Sequence, residues 1–155
     1  MYTGTYRIAG RSIAIESQYP DVHAYCAAYR HAGEPDFTIR ITPADIDRER
    51  DKSAREDQRQ GIAPRAFPEG YLEELAVYRQ IADRMPAYDT LLIHGSAIAL
   101  DGAAYLFTAR SGTGKSTHTR FWRQTFGSRA VMINDDKPLV GLTDAGAVIY
   151  GTPYN

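Results

Sequence analysis

The sequence predicts an α/β fold of the α+β kind, in which mixed and antiparallel strands carry a phosphate-binding loop and a small α+β lobe precedes them. Three observations predict it. Strand-like alternation and helical stripes of apolar residues share one chain. Gly-containing tight turns join neighbouring strands, as antiparallel pairing requires. The apolar run over residues 103–108 passes through Ala109-Arg110-Ser111-Gly112-Thr113-Gly114-Lys115-Ser116 directly into a helical stretch. On this reading, residues 1–88 form the N-terminal lobe and residues 89–155 the loop-bearing core.

The elements follow in order. Residues 5–17 alternate (Tyr6, Ile8, Ile13, Ile15) around Ala9-Gly10-Arg11, which predicts a β-hairpin. Asp21 is placed to cap a short helix through Tyr29, with Val22, Tyr25, Cys26 and Tyr29 on one face. Residues 37–41 read as a strand. Residues 43–61 are rich in Asp, Glu, Arg and Lys with almost no apolar face, the pattern of a solvated helix or mobile loop. Residues 71–85 repeat Leu72, Leu75, Ala76, Tyr78, Ile81 and Ala82 at helical spacing, a core-packing stripe that Pro86 ends.

Two strands, 91–100 and 103–108, are joined by Asp101-Gly102, a hairpin turn by composition. The loop helix spans 115–125 with Phe121 and Trp122 as anchors. A short buried strand, 130–133, ends at Asn134-Asp135-Asp136, and 138–142 with 147–150 form a last hairpin across 143–146.

Composition narrows the function classes. Of the 155 residues, 43% are apolar and 24% charged, ordinary for a globular chain. A chain of this length buries roughly 68–70% of its unfolded surface, so its core needs neither disulfide nor structural metal. The net charge of −1 leaves no basic excess for nucleic-acid binding. Cys26 is the only cysteine, which excludes an internal disulfide and suits a reducing cytoplasm. Residues 1–10 lack the apolar core of a signal peptide, and no run approaches a membrane span. The expectation is a soluble, cytoplasmic protein.

The chemistry concentrates around the loop. Gly112 and Gly114 allow positive φ and close backbone approach to phosphate oxygens, while the helix beginning near Lys115 adds its partial positive charge. Lys115 contributes a full charge, and Ser116 places a hydroxyl where a phosphate-bound Mg²⁺ would sit. The ligand so described is a nucleoside triphosphate with its metal. Asp135 and Asp136 follow the next strand, 20 residues after Lys115, where a Walker-B-type ligand to MgATP is expected. Two adjacent carboxylates can divide their roles, one taking a proton and the other holding metal. His94, within Leu92-Ile93-His94-Gly95-Ser96, reads on its own as a satisfied core histidine. His118 reads as surface or packing, Lys137 as a surface lysine, and Cys26 as a small hydrophobe.

His94-Gly95-Ser96-Ala97, Ser111-Gly112-Thr113-Gly114-Lys115-Ser116-Thr117 and Asp135-Asp136 occur in this order. Together they resemble the nucleotide-binding core of the HPr kinase/phosphorylase and ATP-dependent phosphoenolpyruvate carboxykinase superfamily. The match spans residues 91–136. It implies that Ser111, Gly112, Thr113, Gly114, Lys115, Ser116 and Thr117 cradle the β- and γ-phosphates, that Ser116 and Asp136 hold Mg²⁺, and that Asp135 is the base. His94 is implied to be a catalytic-site residue beside Asp135, orienting it or contributing to a metal site, and Lys115 to neutralise the phosphates.

The activity implied is ATP-dependent transfer of the γ-phosphoryl group to a hydroxyl of a protein, peptide or small molecule. The carboxykinase branch is disfavoured, because those enzymes are much longer and carry an upstream substrate-binding half without counterpart here. Relatives of the kinase branch assemble as oligomers, which leaves a homo-oligomer open. They also continue well past the Asp pair, whereas this sequence stops at Gly151-Thr152-Pro153-Tyr154-Asn155. A shortened form is therefore expected, with a nucleotide-binding or regulatory module that has lost catalysis as the alternative.

Overall fold

The N-terminal alternation closes into a hairpin because its turn is only two residues long. β1 (Tyr2–Ile8) and β2 (Arg11–Ser17) pair antiparallel with Ile8 opposite Arg11. Ala9 and Gly10 take φ of +48° and +78°, as a type I′ turn requires. The computed structural model describes residues 1–154 and divides into two compact units, Met1–Asp83 and one beginning at Arg84. The architecture is mixed α+β, with three small three-stranded sheets.

In the first unit β3 (Phe37–Arg40) adds parallel to β2, giving the order β1-β2-β3. The side chains of Tyr6, Ile8, Ile13, Ile15 and Ile39 are fully buried on this sheet. α1 (Asp21–Tyr25) is shorter than its apolar spacing suggests, and Asp21 is its first residue rather than its cap. The Cys26 N–H still reaches Val22 four residues back, but the Tyr29 N–H reaches only to Cys26. The chain thus tightens into a 3₁₀ turn over Ala27–Tyr29.

The charged stretch forms a regular 17-residue helix, α2 (Pro43–Arg59), rather than a mobile loop. Pro43 opens it, and the Asp45 carboxylate accepts from the Thr42 N–H at 2.9 Å and the Thr42 hydroxyl at 2.6 Å. Ile46, Glu49 and Asp57 are its buried side chains. Both carboxylates are paired, as burial of charge demands. Glu49 accepts from the Arg79 guanidinium of α3 (Glu69–Arg84), and Asp57 accepts from the Arg65 N–H at 2.8 Å and its guanidinium at 2.6 Å.

The second unit holds β4 (Thr90–Leu92), β5 (Ser96–Leu100), β6 (Ala103–Phe107), α4 (Lys115–Phe126), β7 (Ala130–Asn134), β8 (Leu139–Thr143) and β9 (Gly146–Tyr150). Two antiparallel sheets result, ordered β4-β8-β9 and β6-β5-β7. The expected single strand over 91–100 is split, because Ile93, His94 and Gly95 leave the ladder to follow the turn after β7. There the Ile93 N–H bonds to the Pro138 carbonyl at 3.1 Å, and the Gly95 N–H to that of Asp136 at 3.0 Å. A side chain at Gly95 would meet the Phe107 carbonyl at 2.9 Å, so this approach requires glycine.

β7 is an edge strand rather than a buried one, with Val131 59% exposed. Of the two expected helix anchors only Trp122 packs, against Tyr105, Phe107 and Phe126, while Phe121 stands exposed. Among the described residues, no helix is long and apolar enough to cross a membrane.

Candidate functional site

β6 delivers the chain to the loop and α4 takes it away. Between them Gly112 and Gly114 adopt φ of +79° and +98°, which side-chain-bearing residues rarely tolerate. Nothing lies within 4 Å of where a Cβ on Gly112 would sit, so glycine is needed there for conformation and not for space. The Thr113 N–H bonds back to the Arg110 carbonyl at 3.3 Å, and the His118 N–H to that of Gly114 at 2.9 Å. The N–H groups of a helix's first turn have no intrahelical acceptor, which makes such a turn a place where an anion can bind. Lys115 folds back so that its Nζ donates to the Ala109 carbonyl at 3.1 Å.

Asp135 and Asp136 leave the end of β7 into this neighbourhood. The Ser96 hydroxyl donates to Asp135 Oδ1 at 2.6 Å and lies 2.9 Å from the Thr119 hydroxyl. The Thr119 hydroxyl also lies within reach of the Ser116 carbonyl at 3.2 Å, which ties it to the first turn of α4. Ser96 and Thr119 are fully buried, so β5 and α4 jointly fix the Asp135 carboxylate. Asp136 is held from two sides, by His94 Nε2 at 3.1 Å and by the Lys137 ammonium. His94 is therefore exposed and partnered with Asp136, not a packed core histidine and not bonded to Asp135. Lys137 is likewise not a bystander at the surface.

Asn134 underlies the whole turn. It is 1% exposed. Its Oδ1 accepts from the N–H groups of Asp136 (3.0 Å) and Lys137 (2.7 Å). Its Nδ2 donates to the Thr152 hydroxyl at 3.0 Å and the Tyr154 carbonyl at 3.1 Å. The Thr152 hydroxyl also bonds to the Lys137 carbonyl at 3.0 Å. The direction of the Asp135-Asp136 turn is thus set by the segment that follows β9.

His94, Ser111, Gly112, Gly114, Lys115, Ser116, Thr117, Asp135 and Asp136 line one cleft of about 360 Å³. Of the expected site residues only Thr113 lies elsewhere, on the wall of an adjoining cleft. The donors here are hydroxyl and carboxylate oxygens, the hard set that suits Mg²⁺, which takes one or two protein ligands and completes its shell with phosphate and water. Among the described residues, no group of three His, Cys, Asp or Glu side chains is gathered to hold a metal unaided. Ser116 and Asp136 line the same cleft and supply oxygen donors of that kind.

Ser96, Thr119 and Asn134, which brace the aspartates, do not stand out in the sequence as site residues. For Asn134 a signal existed, since an Asn whose side chain bonds to the N–H two residues on is a common turn former. For Thr119 only its place one turn beyond Lys115 pointed inward. No protein-family model matches the chain, and no curated protein matches it.

Proposed function

We propose that this chain is an ATP-binding, Mg²⁺-dependent kinase of the HPr serine kinase type, with a core of the phosphoenolpyruvate carboxykinase-like kind. It transfers the γ-phosphoryl group to a hydroxyl of a protein, peptide or small molecule. One observation carries the reading: the loop, His94 and both aspartates line a single cleft. A phosphate loop alone is common to many NTP-binding proteins, and an acidic pair with a histidine partner narrows the chemistry to transfer.

Residues 111–117 cradle the β- and γ-phosphates, with Lys115 leaving the Ala109 carbonyl to neutralise them. Asp135 accepts the acceptor's hydroxyl proton while that oxygen bonds to the γ-phosphorus. The bond from phosphorus to the β–γ bridging oxygen breaks, and nucleoside diphosphate leaves. Ser96 and Thr119 keep the Asp135 carboxylate aimed, and His94 steadies Asp136. Ser116 and Asp136 would hold Mg²⁺, which when bound offsets the phosphate charge. Cys26, the single cysteine, fits a reducing cytoplasm.

Incubation with γ-labelled ATP and Mg²⁺ tests the reading. Label should appear as free phosphate or on an acceptor, and Lys115→Ala should abolish both nucleotide binding and turnover. Nucleotide binding that Lys115→Ala leaves unchanged sinks it. A second reading, nucleotide binding without transfer, draws on Asp136, whose two oxygens already have His94 and Lys137 as partners that compete with a metal. Binding lost in Lys115→Ala, with no transfer to any acceptor, selects it.

A further inference from the structure

A second cleft, of about 670 Å³, shares Gly114, Lys115 and Thr117 with the first. Its other walls differ in chemistry. Leu106 and Phe107 come from the end of β6, and His118 and Phe121 from α4. The Phe107 ring stands edge-on to the His118 ring with centroids 4.6 Å apart. The Trp122 indole N–H donates to His118 Nε2 at 3.1 Å. Since an indole can only donate, Nε2 is the bare nitrogen and the imidazole proton sits on Nδ1, available as a donor. Phe121 is 54% exposed although it neighbours the packed Trp122.

A polar cleft with charges and an apolar cleft with aromatic rings therefore meet along the same three loop residues. That pairing matches the two ends of a nucleotide. We infer that the apolar cleft receives the nucleoside of the triphosphate, with a purine base held against the Phe121 ring. Its volume falls in the range of small-molecule sites. Aromatic side chains hold bases by stacking, which grows with the area of the base. His118 Nδ1–H and the hydroxyls of Thr113 and Thr117 are the polar groups available to ribose and base edge. The inference rests on the loop binding phosphates and goes beyond it. What it adds is the place of the nucleoside, which the loop does not define, since inorganic polyphosphate would satisfy the loop equally well.

Calorimetric titration of the full chain with MgATP, MgCTP and magnesium tripolyphosphate separates the two readings. The expected order is ATP tightest, then CTP, then tripolyphosphate, with ATP quenching the fluorescence of Trp122, the chain's single tryptophan. Phe121→Ala, at an exposed position that the fold does not need, should weaken ATP by about tenfold. The same substitution should leave tripolyphosphate affinity unchanged. Equal affinity for ATP and tripolyphosphate, or ATP binding unmoved by Phe121→Ala, overturns the nucleoside site while the loop reading stands. Failure of both ligands to bind the wild-type chain overturns the loop reading and this inference together.

Discussion

The Asn134 amide bonds in two directions, toward the Asp136 and Lys137 N–H groups and toward Thr152 and Tyr154. It touches no part of the cleft itself, so its effect on chemistry is one of position. Asn134→Ala is expected to cost about 1–3 kcal/mol of stability, because buried partners lose their bonds. If the chain is the kinase proposed above, the same substitution should slow phosphoryl transfer by about 10²-fold, the scale on which a misplaced catalytic group acts. On the same reading, which gives MgATP binding to Lys115 and the loop, MgATP affinity should change far less. Unfolding midpoints, calorimetric Kd and single-turnover transfer check the three parts. The residues that line the cleft were legible in the sequence because glycines, a lysine and paired aspartates near a strand end form recognisable motifs. The residues that aim them were harder to read, since Ser96 and Thr119 meet each other 23 positions apart and Ser96 meets Asp135 39 positions on, and only the local half of Asn134's bonding, to Asp136 and Lys137, has a turn signature.

Among elements, hairpins were read correctly where a turn forces the geometry. Asp101 and Gly102 take φ of +51° and +85°, and Leu100 pairs with Ala103 as their composition implies. The charged helix α2 was harder, because its inward groups are Glu49 and Asp57, and nothing local shows that Arg79 and Arg65 will meet them. The same blindness hid Glu73 within the apolar stripe of α3. It is fully buried and accepts from the N–H groups of Gln18 at 2.6 Å and Tyr19 at 2.8 Å, tying α3 to the loop after β2. Glu73→Ala should therefore lower stability by about 1–3 kcal/mol, from two buried donors left unpaired. Glu56→Ala on the charged helix should stay within about 0.5 kcal/mol, as surface changes usually do. Urea unfolding of the two variants against the wild type measures the contrast.

Over the whole molecule, acid sensitivity has an identifiable source in the first unit. The buried His23 ring takes the Tyr6 hydroxyl at Nδ1 (2.6 Å) and the Ser17 hydroxyl at Nε2 (2.8 Å). Ser17 gives its own proton to the Tyr19 carbonyl at 2.7 Å, so Nε2–H is the donor to Ser17 and Nδ1 accepts from Tyr6. That is a neutral imidazole. Burial, above all, holds its pKa below the ordinary value of 6.5, and Arg30 pushes the same way against the Tyr2 backbone. Below about pH 6.5 the unfolded chain therefore binds a proton that the folded chain resists, and stability falls with falling pH. Burial raises the pKa of Glu73, so its contribution runs the other way, growing as pH drops toward the ordinary carboxylate range. Urea midpoints should thus fall between pH 7.5 and 5.5, and His23→Gln should flatten that slope. Biosynthesis supplies a different constraint, because Asn134 is braced by residues made after it. While a nascent chain lacks Thr152 and Tyr154, the Asp135-Asp136 turn has no floor. The loop can take shape earlier in translation, but the fixed direction of the two carboxylates waits for the segment after β9 to fold back against Asn134.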